Sequence, residues 1–325
     1  MNQELTRREC LLAVGGTALL AGCRRKPVAA ASTPPSRVSI TRALAYDQSL
    51  YDTVHRILVE HRVDVRGRRV VLKPNLVEFE PGTCINTNPL LVHAAWEAFL
   101  AMGAASVRIA EGPGHRRNTL DLADAAGYFQ RIPGFEDRFT DLNLDDVKQV
   151  HPREQFSRLA KWYLPSTALS ADLLVSMPKM KTHHWAGATL SMKNLFGVVP
   201  SGVYGWPKNP LHWAGIDECI ADLHAAFPQQ FAIVDGIVGM EGNGPISGVP
   251  KHSGVIVAGH DPVAVDSTCC RIMRIDPQQI GYLNLASTHP GTNLAESQIR
   301  QIGMPIAEVA TRFELPPNFQ RLRMV

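Results

Sequence analysis

After its N-terminal stretch, the chain has no apolar run approaching the roughly 20 residues that cross a bilayer. Its six cysteines form no C-x-x-C pair, so neither a zinc ribbon nor a ferredoxin-type cluster is encoded locally. An excess of either charge is also missing. Lys and Arg number 33 against 30 Asp and Glu, a net charge of +3, without the basic bias of a nucleic-acid binder, and no nucleic-acid partner is expected. There is no G-x-x-x-x-G-K-[ST] phosphate loop, H-E-x-x-H helix or G-x-S-x-G elbow. Gly112-Pro113-Gly114 lacks the third glycine of a dinucleotide fingerprint. Ser176-Met177-Pro178-Lys179 spells S-x-x-K, but that motif needs a helix, and here a strand runs into proline.

The N-terminus is rich in signals. Thr6-Arg7-Arg8-Glu9-Cys10-Leu11-Leu12 resembles a twin-arginine export motif. An apolar stretch from Leu11 to Ala21, softened by Gly15 and Gly16, fits a removable signal better than an anchor helix. Leu20-Ala21-Gly22-Cys23 resembles a bacterial lipobox, which makes residues 1–22 the signal and Cys23 the lipidation site. Residues 23–36, with Arg24-Arg25-Lys26 and then Pro, Ala and Ser, read as a solvated tether. The expected location is the periplasmic side of a bacterial membrane, lipid-anchored. The expected partners are the twin-arginine translocon, the lipoprotein maturation enzymes and the membrane itself.

Residues 37–325 alternate short apolar runs with amphipathic stretches, which predicts one α/β domain. Strands are expected near Val38–Leu44, Val70–Leu72, Val107–Ala110, Leu173–Ser176, Phe231–Val234 and Val255–Ala258. Helices are expected near Leu50–His61, Pro89–Met102, Asp217–Phe227 and Pro262–Arg274. Continuously apolar strands such as Leu173-Leu174-Val175 suit a mostly parallel sheet covered by helices on both faces, in one body or in two lobes around a cleft. Cys269-Cys270 falls in an apolar helix, where a packing role is expected; a disulfide between distant cysteines stays open.

Polar residues collect where the strands end. Val70-Val71-Leu72 runs into Lys73-Pro74-Asn75, and Val107–Ala110 runs into Glu111-Gly112-Pro113-Gly114. Leu173–Ser176 leads to Lys179, Lys181, His183 and His184; Ile233-Val234 leads to Asp235 and Glu241; Val255–Gly259 leads to His260-Asp261-Pro262. Ligands of open α/β sheets bind beyond the carboxyl ends of strands, and five such endings predict one polar cleft.

These segments also carry a resemblance. Lys-Pro-Asn at 73–75, Pro-Lys-Met-Lys-Thr-His at 178–183, Ser-Met-Lys-Asn-Leu-Phe-Gly at 191–197, Asp-Gly-Ile-Val-Gly-Met-Glu-Gly-Asn-Gly-Pro at 235–245 and Gly-His-Asp-Pro-Val-Ala-Val-Asp at 259–266 keep order and spacing. Over most of Val38 to Gly303 the chain resembles the domain of unknown function 362 family. Some members carry a ferredoxin-like module with cysteine clusters, which implies redox or iron–sulfur roles for those. This chain has no such cysteines, and an iron–sulfur cluster is not expected from it alone.

Lys179, Lys181 and Lys193 repel one another unless an anion or carboxylates neutralise them. They are therefore expected, with Lys73, Asn75 and Asn194, to hold a small carboxylate or phosphate; the alternative is a solvated basic loop. Lys181, His183 and Glu241 are the candidate catalytic groups. Asp235, Glu241 and Asp261 are the candidate ligands for Mg, Mn or Ca, which favour oxygen donors. Asp261 has a competing reading as the N-cap of the helix opened by Pro262. Asp266, inside that helix, is expected to pair with a lysine. Glu111 reads either as a ligand or base or as a turn residue. His212 reads as a packed or capping residue rather than an acid or base, and His184 should face away from His183. The expected function is an exported, membrane-anchored enzyme acting on a small anion, with a tethered anion-binding protein as the alternative.

Overall fold

The computed structural model describes residues 34–151 and 154–324. The export signal, Cys23 and the tether up to residue 33 lie outside the described residues. The strands are β1 (Ser36–Arg42), β2 (Arg69–Pro74), β3 (Ser106–Glu111), β4 (Phe139–Asp141), β5 (Val147–Val150), β6 (Trp162–Pro165), β7 (Leu173–Met177), β8 (Lys179–His183), β9 (Gly187–Thr189), β10 (Gln230–Asn243), β11 (Ser247–Gly259) and β12 (Ile299–Gly303). All but β5 and β6, which pair with each other, join one ten-stranded sheet of order β12-β1-β11-β10-β7-β2-β3-β4; β8 pairs with β10 and β9 beside this path. The run from β10 through β7, β2 and β3 to β4 is parallel.

Period-two alternation makes both faces apolar. Leu173, Val175, Phe231 and Ile233 pack on one face under the helices Ser49–Glu60 and Pro89–Ala101. Leu174, Ala232 and Val234 pack on the other under Ile216–Ala226 and Pro262–Ile272. This bears out the α/β expectation. Two cores share one sheet, so the described residues make a single body rather than two lobes. Cys269 and Cys270 are buried in the second core as small apolar residues. The resolved thiols Cys84, Cys219, Cys269 and Cys270 are all free. Among the described residues no helix is long and apolar enough to cross a membrane.

The largest departure from the sequence reading lies at β10 and β11. Asp235-Gly236 looks like a turn, and residues 240–245 look like a glycine-rich loop. Instead β10 continues to Asn243 and returns as β11, a long antiparallel hairpin with an irregularity between Gly236 and Val238. Gly239 allows β8 to press close, since a Cβ there would sit 2.7 Å from the Met180 carbonyl oxygen.

Candidate functional site

The carboxyl ends of β2, β3 and β8 and the tip of the β10–β11 hairpin surround a cavity of about 380 Å³. Lys73, Lys181, Lys193 and Lys208 line it, with four histidines, His115, His183, His184 and His212; its one carboxylate is Glu111.

At the floor, the Lys73 amine pairs with Glu111, both fully buried. It also donates to Asn194 Oδ1 at 3.0 Å and to the Pro74 carbonyl at 2.8 Å. Asn194 donates back to the Lys73 carbonyl at 2.9 Å and to Ser176 Oγ at 3.1 Å, which locks the strand end to the segment Ser191–Asn194. Burial pushes the Lys73 amine down, and Glu111 opposes that shift. Glu111 is thus an ion-pair partner rather than a turn residue.

The other three lysines lack a carboxylate. Lys181 Nζ donates to the carbonyls of Ile85 (2.9 Å) and Pro245 (3.2 Å). Lys208, missed in the sequence because no strand delivers it, has φ 67° and donates to the carbonyls of Gly112 (2.6 Å) and Phe196 (3.0 Å). Lys193 is half-buried and stands 3.8 Å from the Phe196 ring centroid, with no hydrogen-bond acceptor among the described residues. Burial first, and neighbouring lysines second, push Lys181 and Lys193 down to about 7. Burial likewise brings Lys208 to about 7, although Glu111 opposes it.

Two histidines present opposite polarity. His183 Nδ1 accepts from the amides of Trp185 (3.0 Å) and Ala186 (3.2 Å), so the ring proton sits on Nε2. Burial holds this ring well below the ordinary histidine value, and Lys193 adds the next largest push. His184 Nδ1 donates to the Gly244 carbonyl at 2.8 Å, which leaves Nε2 its lone pair. The expectation that His184 faces away fails because β8 ends at His183, the chain turns, and the two rings stack at 5.1 Å. His212 also faces the cavity, against Trp185 at 4.8 Å.

Asn75 and Thr189, two residues of the cavity lining, each hold a buried side-chain oxygen, Oδ1 and Oγ1, with no partner among the described residues. Unpaired buried groups are costly, and both of these belong to residues that line the cationic cavity.

The remaining predicted residues lie elsewhere. Lys179 is the first of the alternate β8 residues, but it turns under the Tyr46 ring to bind Asp235 at 2.6 Å. Asp235 also accepts from Tyr46 Oη (2.7 Å) and the Asn88 amide (3.0 Å), making a closed buried cluster outside the cavity. Glu241 pairs with Lys251 at 3.1 Å and accepts from the Glu314 amide at 2.9 Å. Asp261 is at the opposite end of the sheet, because β11 runs antiparallel to β10. There it caps the helix Pro262–Ile272 through the amides of Val263 and Ala264 and accepts from Ser36 Oγ (2.6 Å) and the Asn293 amide (2.7 Å). Asn293 Nδ2 in turn donates to the Pro34 carbonyl at 3.0 Å. The capping reading of Asp261 is the one the geometry bears out. Among the described residues Asp266 pairs with no lysine; it accepts from the Ser191 and Met192 amides at 2.8 and 3.0 Å.

Asp235, Glu241 and Asp261 are therefore not brought together. Among the described residues no three His, Cys, Asp or Glu side chains cluster closely enough to hold a metal. The cavity's donor set of ammonium groups, imidazoles and one ion-paired carboxylate does not fit Mg, Mn or Ca, which need several oxygen ligands.

The family model for the domain of unknown function DUF362 matches residues 70–271, and the chain belongs to that family. A thylakoid-associated protein of Synechocystis sp. is 29% identical over 223 residues, covering 66% of this chain and 65% of that protein. The match thus spans a little under two thirds of that relative's length. Among solved structures, the lactate racemase apoprotein from Thermoanaerobacterium thermosaccharolyticum aligns with a TM-score of 0.47 at 15% identity, covering 74% of this chain and 58% of that one. A Thermotoga maritima protein aligns with a TM-score of 0.38 at 13% identity, covering 76% and 60%.

Proposed function

We propose that the chain is an exported, lipid-anchored enzyme that binds a small carboxylate or phosphate in the Lys73–Lys181–Lys193 cavity. The observation that carries this reading is the gathering in one cavity of Lys181, Lys193 and Lys208, none of them paired with a carboxylate among the described residues. An anion neutralises those lysines. The opposed His183 and His184 give the site a hydrogen-bond donor beside a hydrogen-bond acceptor, which favours catalysis over simple capture. Membrane anchoring rests on Cys23 and its lipobox, and the thylakoid association in the relative's name agrees with a membrane setting.

The test is thermal stabilisation by a panel of phosphates and small carboxylates. At least one should raise Tm, and Lys181→Ala or Asn75→Ala should abolish the rise while leaving the fold intact. A protein whose Tm no anion moves would overturn the reading. Saturable binding without turnover, unaltered by His183→Gln or His184→Gln, would reduce it to anion capture.

A further inference from the structure

The four lysines of the cavity are not equivalent. Lys73 is neutralised by Glu111, while Lys181 and Lys208 each donate to two backbone carbonyls. Only for Lys193, of these four, is no acceptor present among the described residues. It reaches the cavity beside an apolar ring, the Phe196 face at 3.8 Å. Burial and a neighbouring cation favour the neutral amine, and an amine in that form has a lone pair available to attack.

We propose that Lys193 is a nucleophile that forms an imine with the carbonyl carbon of a small 2-oxo acid. This deepens the anion-site reading and rests on it, since the cavity must first accept the carboxylate. The Lys193 nitrogen adds to the carbonyl carbon and the C=O bond becomes C–OH. The C–O bond then breaks, C=N forms, and the oxygen leaves as water carrying both amine protons. No oxidant or reductant is required. Lys181 spends two of its three N–H groups on carbonyls and keeps one for the carboxylate. His183 offers Nε2–H to polarise the carbonyl oxygen. The depressed basicity of Lys193, near 7, keeps much of the amine neutral at physiological pH. The charged and titratable groups facing the cavity with it are Lys73 and Glu111 from β2 and β3, Lys181 and His183 from β8, His184 from the turn after β8, His115 beyond β3, and Lys208 and His212 from the 206–213 segment.

The test treats the full chain with pyruvate or glyoxylate and sodium cyanoborohydride, followed by intact-mass measurement and peptide mapping. One equivalent should be fixed on Lys193, none in Lys193→Arg, and none in denatured protein beyond background on exposed lysines. Yield should rise through pH 7 rather than near the ordinary lysine value of about 10. Lys181→Ala should cut labelling by pyruvate several-fold, and by more than it cuts labelling by the uncharged propanal. If phosphate or pyruvate raises Tm but label is absent or spread over exposed lysines, Lys193 is not a nucleophile and the anion site stands. If neither stabilisation nor label occurs, both readings fall.

Discussion

The Lys73 amine and the Glu111 carboxylate form a buried ion pair with Gly197 directly against it. A Cβ at position 197 would overlap the carboxylate oxygen and crowd the lysine amine. The backbone of Gly197 is itself fixed, since its carbonyl accepts from the Gly112 amide at 2.9 Å. Gly197→Ala is therefore expected to cost about 1–3 kcal/mol, the usual range for overpacking. It should also weaken anion-induced stabilisation, because the pair cannot keep its place. Denaturant melts with and without phosphate measure both effects.

The same pair predicts an asymmetry. Glu111→Gln leaves a buried ammonium without its counter-charge, a change that typically costs about 3–5 kcal/mol. Pairing it with Lys73→Met should recover much of that loss. A double variant no more stable than the single would show that Glu111 acts through its amide contacts, to Leu76 at 3.2 Å and Gly112 at 3.0 Å, instead.

Lys181, Lys193 and Lys208, all pushed down to about 7 by burial, give stability a pH slope of known sign. Between pH 7 and about 10 the unfolded chain holds protons on these lysines that the folded chain has released. Stability from these groups therefore rises with pH across that window and is least below it. A bound anion favours the charged amines and should flatten the lower part of the rise. Tm measured from pH 6 to 10, with and without phosphate, checks both halves.

Asp266 acts in the opposite sense. Burial raises its carboxyl from 3.8 to about 7 despite the Ser191 and Met192 contacts. Between those values the unfolded chain has lost the proton that the folded chain keeps, so stability falls as pH rises from about 4 to about 7. Asp266→Asn should remove that component of the slope. A pH profile of Tm parallel to that of the unmodified protein would refute it.

Asp261→Ala should cost about 1 kcal/mol for the lost helix cap, and more for the Ser36 and Asn293 contacts. It should leave the anion response untouched, because Asp261 is at the far end of the sheet. A variant that folds normally but no longer responds to anions would tie Asp261 to the cavity.

Much of this molecule is legible in its sequence, for identifiable reasons. Apolar runs placed β2, β3 and β7, because strands buried on both faces carry no polar alternation to blur them. Asp261-Pro262 marked a helix start because cap and fixed φ coincide there. Lys73, Asn75, Lys181, His183, Lys193 and Asn194 were placed in one cleft, and they do line one cavity. The acidic half of that cleft was misread. Strand direction decides which end a residue reaches, and nothing local shows that β11 runs backward against β10. Lys208 and Thr189 carry no local signal, since their place depends on chain turns settled only in the packed fold.

The contacts of Ser36 and Asn293 with Asp261 have a mechanical consequence. Chain arriving from the N-terminal side joins the sheet at the end opposite the cavity and enters it as β1, zipped between β11 and β12. Tension on that stem is shared by two neighbouring strands and carried into the sheet's interior. Lys181 and Lys193 stand at the other end of the sheet, so a pull on the segment that leads into β1 is applied far from the cavity.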